Sequence, residues 1–243
     1  FYKLITRMNQ LFDNNITLER EAHKYHLATN PELEFISATT FVSQFFEKFD
    51  AEKVAKRLVT SSPKYMGMTV EDLLGLWKDS ADYGTLVHEQ LENHILHQSE
   101  LTELKAIQGM QWLNKFKMKS NFDIYTEVII YSEELKISGT IDLLLFDKNS
   151  NSYIIMDWKT SKKIDTKSYR NKMGILPATS DIADTKFNRY AMQLSLYRYL
   201  LETYYGIKIS QHIIIHLKDH ECLGLHAPYM KDNIIKMVQT LGD

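Results

Sequence analysis

The chain has 243 residues, a length that fits one large domain or one domain with a sizeable insertion. With 44% apolar and 25% charged residues it has the composition of an ordered globular protein, and its net charge of −2 argues against a broad surface that coats nucleic acid. The single cysteine, Cys222, excludes an internal disulfide framework, a cysteine-based zinc site and a cysteine-ligated iron–sulfur cluster. We expect a reducing intracellular compartment, no secretion and no membrane partner, because no apolar run reaches spanning length and the first residues lack the apolar core of a signal peptide.

Helical periodicity dominates the first half of the chain. Helices are predicted at 37–49, 51–61, 69–98 and 100–119. Thr69 and Asp72 have the spacing of a capping box, and Gly84 is the weak point of the longest helix, which is either one kinked helix or two. We therefore predict a mainly helical region over residues 1–119.

Strand-like sequence follows this region. Segments rich in Ile, Val, Leu and Tyr predict strands at 123–132, 135–147, 153–158 and 210–218. A polar loop is predicted at 162–184, with helices at 185–206 and 227–241. This order predicts the α/β fold class, with a small mixed β-sheet core flanked by helices over residues 120–243.

The predicted strand at 153–158 runs into Asp157, Trp158 and Lys159. Residues two apart on a strand point to the same face, so the Asp157 carboxylate and the Lys159 ammonium share a face that Trp158 does not. Such a pair is either a surface ion pair, which is common and contributes little, or a metal ligand beside a proton-transfer lysine. The spacing alone leaves both interpretations open.

Asp142 lies between apolar neighbours in the preceding strand. A carboxylate in this company is costly unless it is paired or binds a cation, and the alternative is an exposed position at a strand edge. A short polar turn joins the two strands, so a hairpin would bring Asp142 and Asp157 within reach of one ion. Two converging carboxylates repel each other unless a cation or proton intervenes, and Mg²⁺ typically takes one or two carboxylates.

Two polar pairs have the i, i+4 spacing of one helical face, His88 with Glu92 and Gln193 with Tyr197. On spacing alone, an exposed ion pair is the better interpretation of the first. For the second, a packed Tyr197 and an exposed Gln193 are favoured.

A basic stretch begins at Lys159. Six Lys or Arg residues and one Asp give the segment 159–172 a net charge of +5, which indicates either a solvated face or a surface that attracts phosphates. Glu127 is either an accessory metal ligand or an ion-pair partner of this cluster. Four aromatic residues could stack on unpaired bases, although core positions are favoured for most of them: Trp77, Tyr83, Trp112 and Tyr190.

The segments "GTLVHEQLE", "GTID", "DWKTS" and "QLSLY", in this order, resemble the PD-(D/E)XK nuclease superfamily, specifically its RecB-like exonuclease branch. The resemblance covers residues 81–218, and the preceding region is similar, less specifically, to the helical front part of some phage and mitochondrial members. The namesake Pro-Asp of the motif is Ile-Asp here. The cysteines with which many relatives hold an iron–sulfur cluster are absent, so none is expected.

The resemblance implies a restriction-endonuclease-like fold and a role for each matched position. The implied ligands of Mg²⁺ or Mn²⁺ are His88, Asp142, Asp157 and the backbone carbonyl of Trp158. Glu92 and Glu127 are accessory residues. Lys159 is the implied catalytic lysine, acting with both aspartates as a base or as an electrostatic stabiliser. The expected DNA-binding residues are Gln193, Tyr197, Thr160, Lys162 and Lys163.

These roles imply a metal-dependent DNA exonuclease that prefers single strands or DNA ends and acts in DNA repair, recombination or replication. One alternative is a structure-specific or restriction-type endonuclease with the same site. Another is an inactive DNA-binding protein within a larger assembly, against which the intact Asp142, Asp157 and Lys159 argue. The sequence has no Walker A loop, so a helicase or recombination partner would be a separate chain or a removed portion.

Overall fold

Strands of β-branched and aromatic residues form a mixed sheet in the computed structural model, which describes residues 11–242. The strands are β1 (Ile16–Glu19), β2 (Lys24–Leu27), β3 (Ile36–Ser37), β4 (Phe122–Ser132), β5 (Ile137–Asp147), β6 (Ser152–Lys159), β7 (Ile209–Leu217) and β8 (Cys222–Ala227). Six of them form the main sheet in the order β3-β5-β6-β7-β8, with β4 also paired to β5. The other two, β1 and β2, form a separate antiparallel hairpin.

Helices cover both faces of this sheet. They are α1 (Ala38–Ser43), α2 (Ala51–Ser61), α3 (Val70–His97), α4 (Leu104–Lys117), α5 (Lys186–Tyr204) and α6 (Lys231–Gln239). The capping box of Thr69 and Asp72 is confirmed, and α3 continues through Gly84 as a single helix. Within residues 11–242, no helix combines the length and the apolar sequence that crossing a membrane requires.

Two hydrophobic cores hold the layers together. The first core lies between the sheet and helices α1, α5 and α6, and includes Phe41, Ile155 and Leu200. The second core lies between the opposite face and helices α3 and α4, and includes Leu91 and Trp158. A mixed sheet flanked by helices is therefore confirmed, and the alternation along β6 places Trp158 away from Asp157 and Lys159.

Strand β5 is where the sheet divides. Strand β4 pairs along one edge of β5, while the other edge carries β3 at 137–138 and β6 at 143–147. Between these neighbours, residues 139–142 leave a gap in the sheet. The β4–β5 ladder also skips Glu127 and Asp142, and Glu127 has a φ of 50°, in the left-handed region. The irregularity and the gap therefore coincide at Asp142.

Several predicted boundaries were wrong. The helix predicted at 37–49 ends at Ser43, because the Phe45 carbonyl accepts hydrogen bonds from Thr179 Oγ1 and the Ile175 N–H. The helix predicted at 227–241 begins at Lys231, after a strand, β8, that was not predicted.

The predicted helical region also contains the three short strands β1, β2 and β3. Its division from the rest of the chain at residue 119 stays a prediction, and residues 1–10 and 243 lie outside the described residues.

Candidate active site

A cleft of about 450 Å³ opens at the gap in the sheet. Its walls come from helices α1, α3 and α5, from strands β3, β4, β5 and β6, and from the β1–β2 hairpin. It brings together eight of the residues that the sequence singled out: His88, Glu92, Glu127, Asp142, Asp157, Lys159, Gln193 and Tyr197. The fold therefore brings residues from five separate helices and strands into one site.

Asp157 and Lys159 form a buried pair on the first-core face of β6. Lys159 Nζ lies 2.7 Å from Asp157 Oδ2, and the two side chains are 18% and 3% exposed. The interpretation as a surface ion pair is therefore wrong. Burial raises the pKa of Asp157, which the Lys159 ammonium opposes. Burial acts to lower the pKa of Lys159, but the carboxylates of Asp157 and Asp142 outweigh it, so this pKa is raised.

Asp142 is paired rather than exposed at a strand edge. Its Oδ2 accepts a hydrogen bond of 2.9 Å from the Trp158 N–H, just beyond the last pair of the β5–β6 ladder, Leu143 with Met156. The same oxygen lies 3.5 Å from His88 Nδ1. The N–H and C=O of one strand residue point to the same edge, so the Trp158 carbonyl is directed toward Asp142 as well.

The donor chemistry of the cleft suits a hard divalent cation. Burial, together with the carboxylates of Asp142 and Glu92, raises the pKa of Glu127 to about 8, although Arg20 acts in the opposite direction. Such crowding of carboxylates in a buried place favours a proton or a bound cation. The adjoining imidazole and carboxylate of His88 and Asp142 are ligands that Mg²⁺ or Mn²⁺ accepts.

The same residues do not form a complete set of metal ligands in this arrangement. In the described part of the chain, no three His, Cys, Asp or Glu side chains converge closely enough to hold a metal ion. Asp157 faces Lys159 instead. The residues thus fit a divalent cation in kind, and the ligand assignment stays a prediction.

Glu92 is paired with a residue that the sequence did not suggest. Arg20, which follows β1, donates two hydrogen bonds of 2.9 and 3.0 Å to the Glu92 carboxylate. The predicted ion pair between His88 and Glu92 is therefore wrong. The hairpin is held a second time by Tyr25, whose hydroxyl lies 2.9 Å from Thr140 Oγ1 on β5. No short-range pattern marks Arg20 or Tyr25, because their partners lie 72 and 115 residues away.

Gln193 and Tyr197 are both buried on the side of α5 that faces the cleft. Gln193 Nε2 donates a hydrogen bond of 3.1 Å to the Tyr197 hydroxyl. The packed Tyr197 is confirmed and the exposed Gln193 is wrong. The Tyr197 ring lies against Gly139, where a Cβ atom would come within 2.5 Å of Tyr197 Cε1.

Replacing Gly139 by alanine tests this packing. We expect Gly139→Ala to lower the free energy of unfolding by about 1–3 kcal/mol, because the ring must move out of its place. Urea denaturation followed by circular dichroism measures the change. Gly75→Ala is the matched control, since Gly75 lies in α3 with open space around its Cβ position and alanine favours a helix by roughly 0.5–1 kcal/mol. An unchanged urea midpoint for Gly139→Ala would contradict the close packing of the Tyr197 ring on this glycine.

The remaining predicted DNA-binding residues lie beside the cleft rather than in its lining. Thr160 packs against Gly84, and its carbonyl accepts a hydrogen bond of 3.0 Å from the buried Lys105. Lys162 and Lys163 are exposed. Their roles stay predictions, as does that of Thr160. The sequence did not indicate Lys105, because the Thr160 carbonyl that it contacts lies 55 residues away along the chain.

Core packing, which the sequence favoured for most of the four aromatic residues, is found for three of them. Tyr83 and Trp112 pack at the edge of the second core, and Tyr190 packs at the edge of the first. The Tyr190 ring also lies 4.8 Å from Lys159 Nζ, which places it in a cation–π contact with the candidate catalytic lysine.

Comparisons with known proteins give a partial likeness. The chain matches no established family profile. It is 30% identical over 89 residues, or 37% of its length, to one of the subunits of the ATP-dependent helicase/nuclease of Carboxydothermus hydrogenoformans. The chain spans 6% of the length of that relative. A solved structure described as "Crystal structure of SSO0001" aligns over 99% of this chain and 83% of its own, with 14% identity and a TM-score of 0.39.

Proposed function

We propose that the chain is a metal-dependent deoxyribonuclease, an exonuclease that acts on single-stranded DNA or DNA ends. The observation that carries the proposal is the buried Asp157–Lys159 pair beside Asp142 and His88 in one cleft. Support also comes from the order of the four motifs and from the likeness to a protein named as part of a helicase/nuclease. That name is also the basis for proposing a separate helicase chain as partner, and the resemblance of the four motifs to RecB-like exonucleases is the basis for proposing a role in DNA repair.

Different residues of the cleft would have different roles in phosphodiester hydrolysis. Asp142, Asp157, His88 and the Trp158 carbonyl would hold Mg²⁺ or Mn²⁺. When bound, a divalent cation supplies an activated water and charge for the phosphate oxygens. Lys159 lies in the same cleft, and its side-chain ammonium group is held by Asp157 and by the Tyr190 ring. It is therefore placed to neutralise charge that develops on the phosphate.

Gln193 and Tyr197 contribute by position. Both are buried in the cleft lining, and the hydrogen bond between them fixes the tyrosine hydroxyl. We infer that they hold the scissile phosphate against the metal-binding side chains. Glu127, whose pKa is raised to about 8, holds a proton at neutral pH and can release it when a cation binds nearby, whereas Glu92 positions the β1–β2 hairpin through Arg20.

A digestion assay tests the proposal. An end-labelled linear oligonucleotide and a circular single-stranded DNA are incubated with the protein in Mg²⁺, in Mn²⁺ or in EDTA. We expect loss of the linear DNA alone, only with metal and not with Asp142→Asn. Cleavage of both substrates would assign an endonuclease with the same site, and the absence of metal-dependent cleavage would reject the nuclease function.

A further inference from the structure

Two adjoining surface grooves lie where α2 meets the loop between β6 and α5. They measure about 930 and 570 Å³ and share Phe49, Asp184 and Arg189 in their linings. We refer to the two together as the basic groove. It does not overlap the lining of the catalytic cleft.

The basic groove has an excess of uncompensated positive charge. Seven Lys or Arg residues and four Asp or Glu residues line it. Three of these carboxylates are occupied, since Glu47 binds Lys172, Asp184 binds Arg189, and Asp50 caps α2. Five of the cations are exposed and make no ion pair within residues 11–242: Lys48, Lys53, Arg57, Lys167 and Lys186.

Two exposed aromatic side chains lie among these cations. Phe49 is 63% exposed and Tyr169 is 57% exposed. Phe49 is supported by Trp77 at a ring-centroid distance of 5.7 Å. The Tyr169 ring contacts two guanidinium groups, that of Arg57 at 5.6 Å and that of Arg170 at 5.2 Å. Rings held in this way between cations suit a polymer that offers flat bases and phosphates in alternation, which is single-stranded nucleic acid. An acidic peptide would satisfy the charges but would leave the exposed Phe49 and Tyr169 rings unused.

The groove is joined to the catalytic cleft through the first turns of α5. Arg189 lines the groove, and the next residue, Tyr190, contacts the Lys159 ammonium at 4.8 Å. We propose that the basic groove binds single-stranded nucleic acid, with bases on Phe49 and Tyr169 and phosphates on Lys53, Arg57 and Lys167. The bound strand leads toward Lys159, and this last step rests on the proposed nuclease function.

Binding without cleavage is the first test. Fluorescein-labelled oligothymidylate of about 16 nucleotides is titrated in EDTA and followed by anisotropy. We expect the double variant Phe49→Ala/Tyr169→Ala to raise Kd by roughly tenfold or more. We expect Lys53→Gln/Lys167→Gln to reduce the slope of log K against log salt by about 1.4, at about 0.7 for each lost phosphate contact on a single strand. The matched control is Lys115→Gln/Lys117→Gln, which removes two exposed lysines from α4.

Two results would overturn the proposal. Unchanged binding by both groove variants, with melting temperatures equal to that of the parent protein, would show that the strand binds elsewhere. Equal affinity for a duplex of the same length, lost equally in both variants, would replace the single-strand assignment by a general phosphate surface.

Cleavage separates this proposal from the nuclease function. The groove variants should lose the advantage of a substrate of about 16 nucleotides over one of about 4 nucleotides, while cleavage of the shorter one stays within about twofold of the parent rate. If nothing is cleaved but the variants bind more weakly, the groove is confirmed and the nuclease function falls. If DNA is cleaved and the length dependence is unchanged in the variants, the groove proposal falls alone.

Discussion

Lys159→Ala is expected to lower the rate of DNA cleavage by about 10²–10³-fold, which corresponds to roughly 3–4 kcal/mol of lost transition-state stabilisation. The Lys159 side chain is 18% exposed, and its ammonium is held 2.7 Å from Asp157 and 4.8 Å from the Tyr190 ring. A charge fixed in a partly dry cleft stabilises developing negative charge far better than one in water. Its removal therefore affects the reaction more than it affects substrate binding.

The fold should survive this substitution. Without Lys159 the Asp157 carboxyl is buried and lacks its cationic partner, but burial already raises its pKa, so it can take up a proton instead of carrying an unpaired charge. Single-turnover cleavage and thermal melting of the same preparation measure the two effects separately. Lys208→Ala is the control, since Lys208 is exposed and precedes β7 at the end of the sheet opposite Lys159. Full activity of Lys159→Ala in a folded protein would remove this residue from the mechanism.

The parts of the fold that the sequence predicts are those set by local periodicity. Strands β4 to β7 and helices α3 to α5 carry apolar residues at regular spacing over eight or more residues. The same local logic placed Asp157 and Lys159 on one face and Trp158 on the other, and the structure confirms it.

The errors occur where distant residues decide the local structure. The helix ending at Ser43 depends on Thr179, which lies 134 residues from the carbonyl that it contacts. Strand β3 has two residues and exists only because it pairs with β5. The β1–β2 hairpin has four residues in each strand, too few for a reliable alternation.

The candidate site also combines features that local sequence predicts with contacts that distant residues determine. Each motif could be found from its own residues, but the partners within the site could not. Glu92 faces Arg20 rather than His88, and Glu127 adopts a left-handed backbone that no strand pattern indicates. Gln193 is buried because its side chain lies in the cleft wall and donates a hydrogen bond to the Tyr197 hydroxyl, rather than to solvent.

A second large effect is expected far from the cleft, at His212 on β7. The side chain is buried next to the Tyr229 ring, which the Arg198 guanidinium also contacts. Burial first, and then the positive charge of Arg198, lower the pKa of His212 to about 4, although the Pro228 backbone acts in the opposite direction. A histidine in the unfolded chain has a pKa of about 6.5.

The difference between these two pKa values gives the sign and size of a pH effect on stability. Between pH 6.5 and pH 4 the unfolded chain binds a proton at this position that the folded chain excludes. The free energy of unfolding therefore falls as the pH is lowered through this window, by about 3 kcal/mol at most from His212 alone. Above pH 6.5 the contribution of His212 is constant.

Urea denaturation of the parent protein and of His212→Phe, at intervals from pH 7.5 to pH 4, measures this effect. Phenylalanine keeps a ring beside Tyr229 but binds no proton, so the loss of stability on acidification should be about 3 kcal/mol smaller in the variant. The exposed His220, replaced by glutamine, is the matched control and should give a curve parallel to the parent. Parallel curves for His212→Phe and the parent would mean that His212 becomes protonated within the folded sheet, which its burial and the nearby charge of Arg198 oppose.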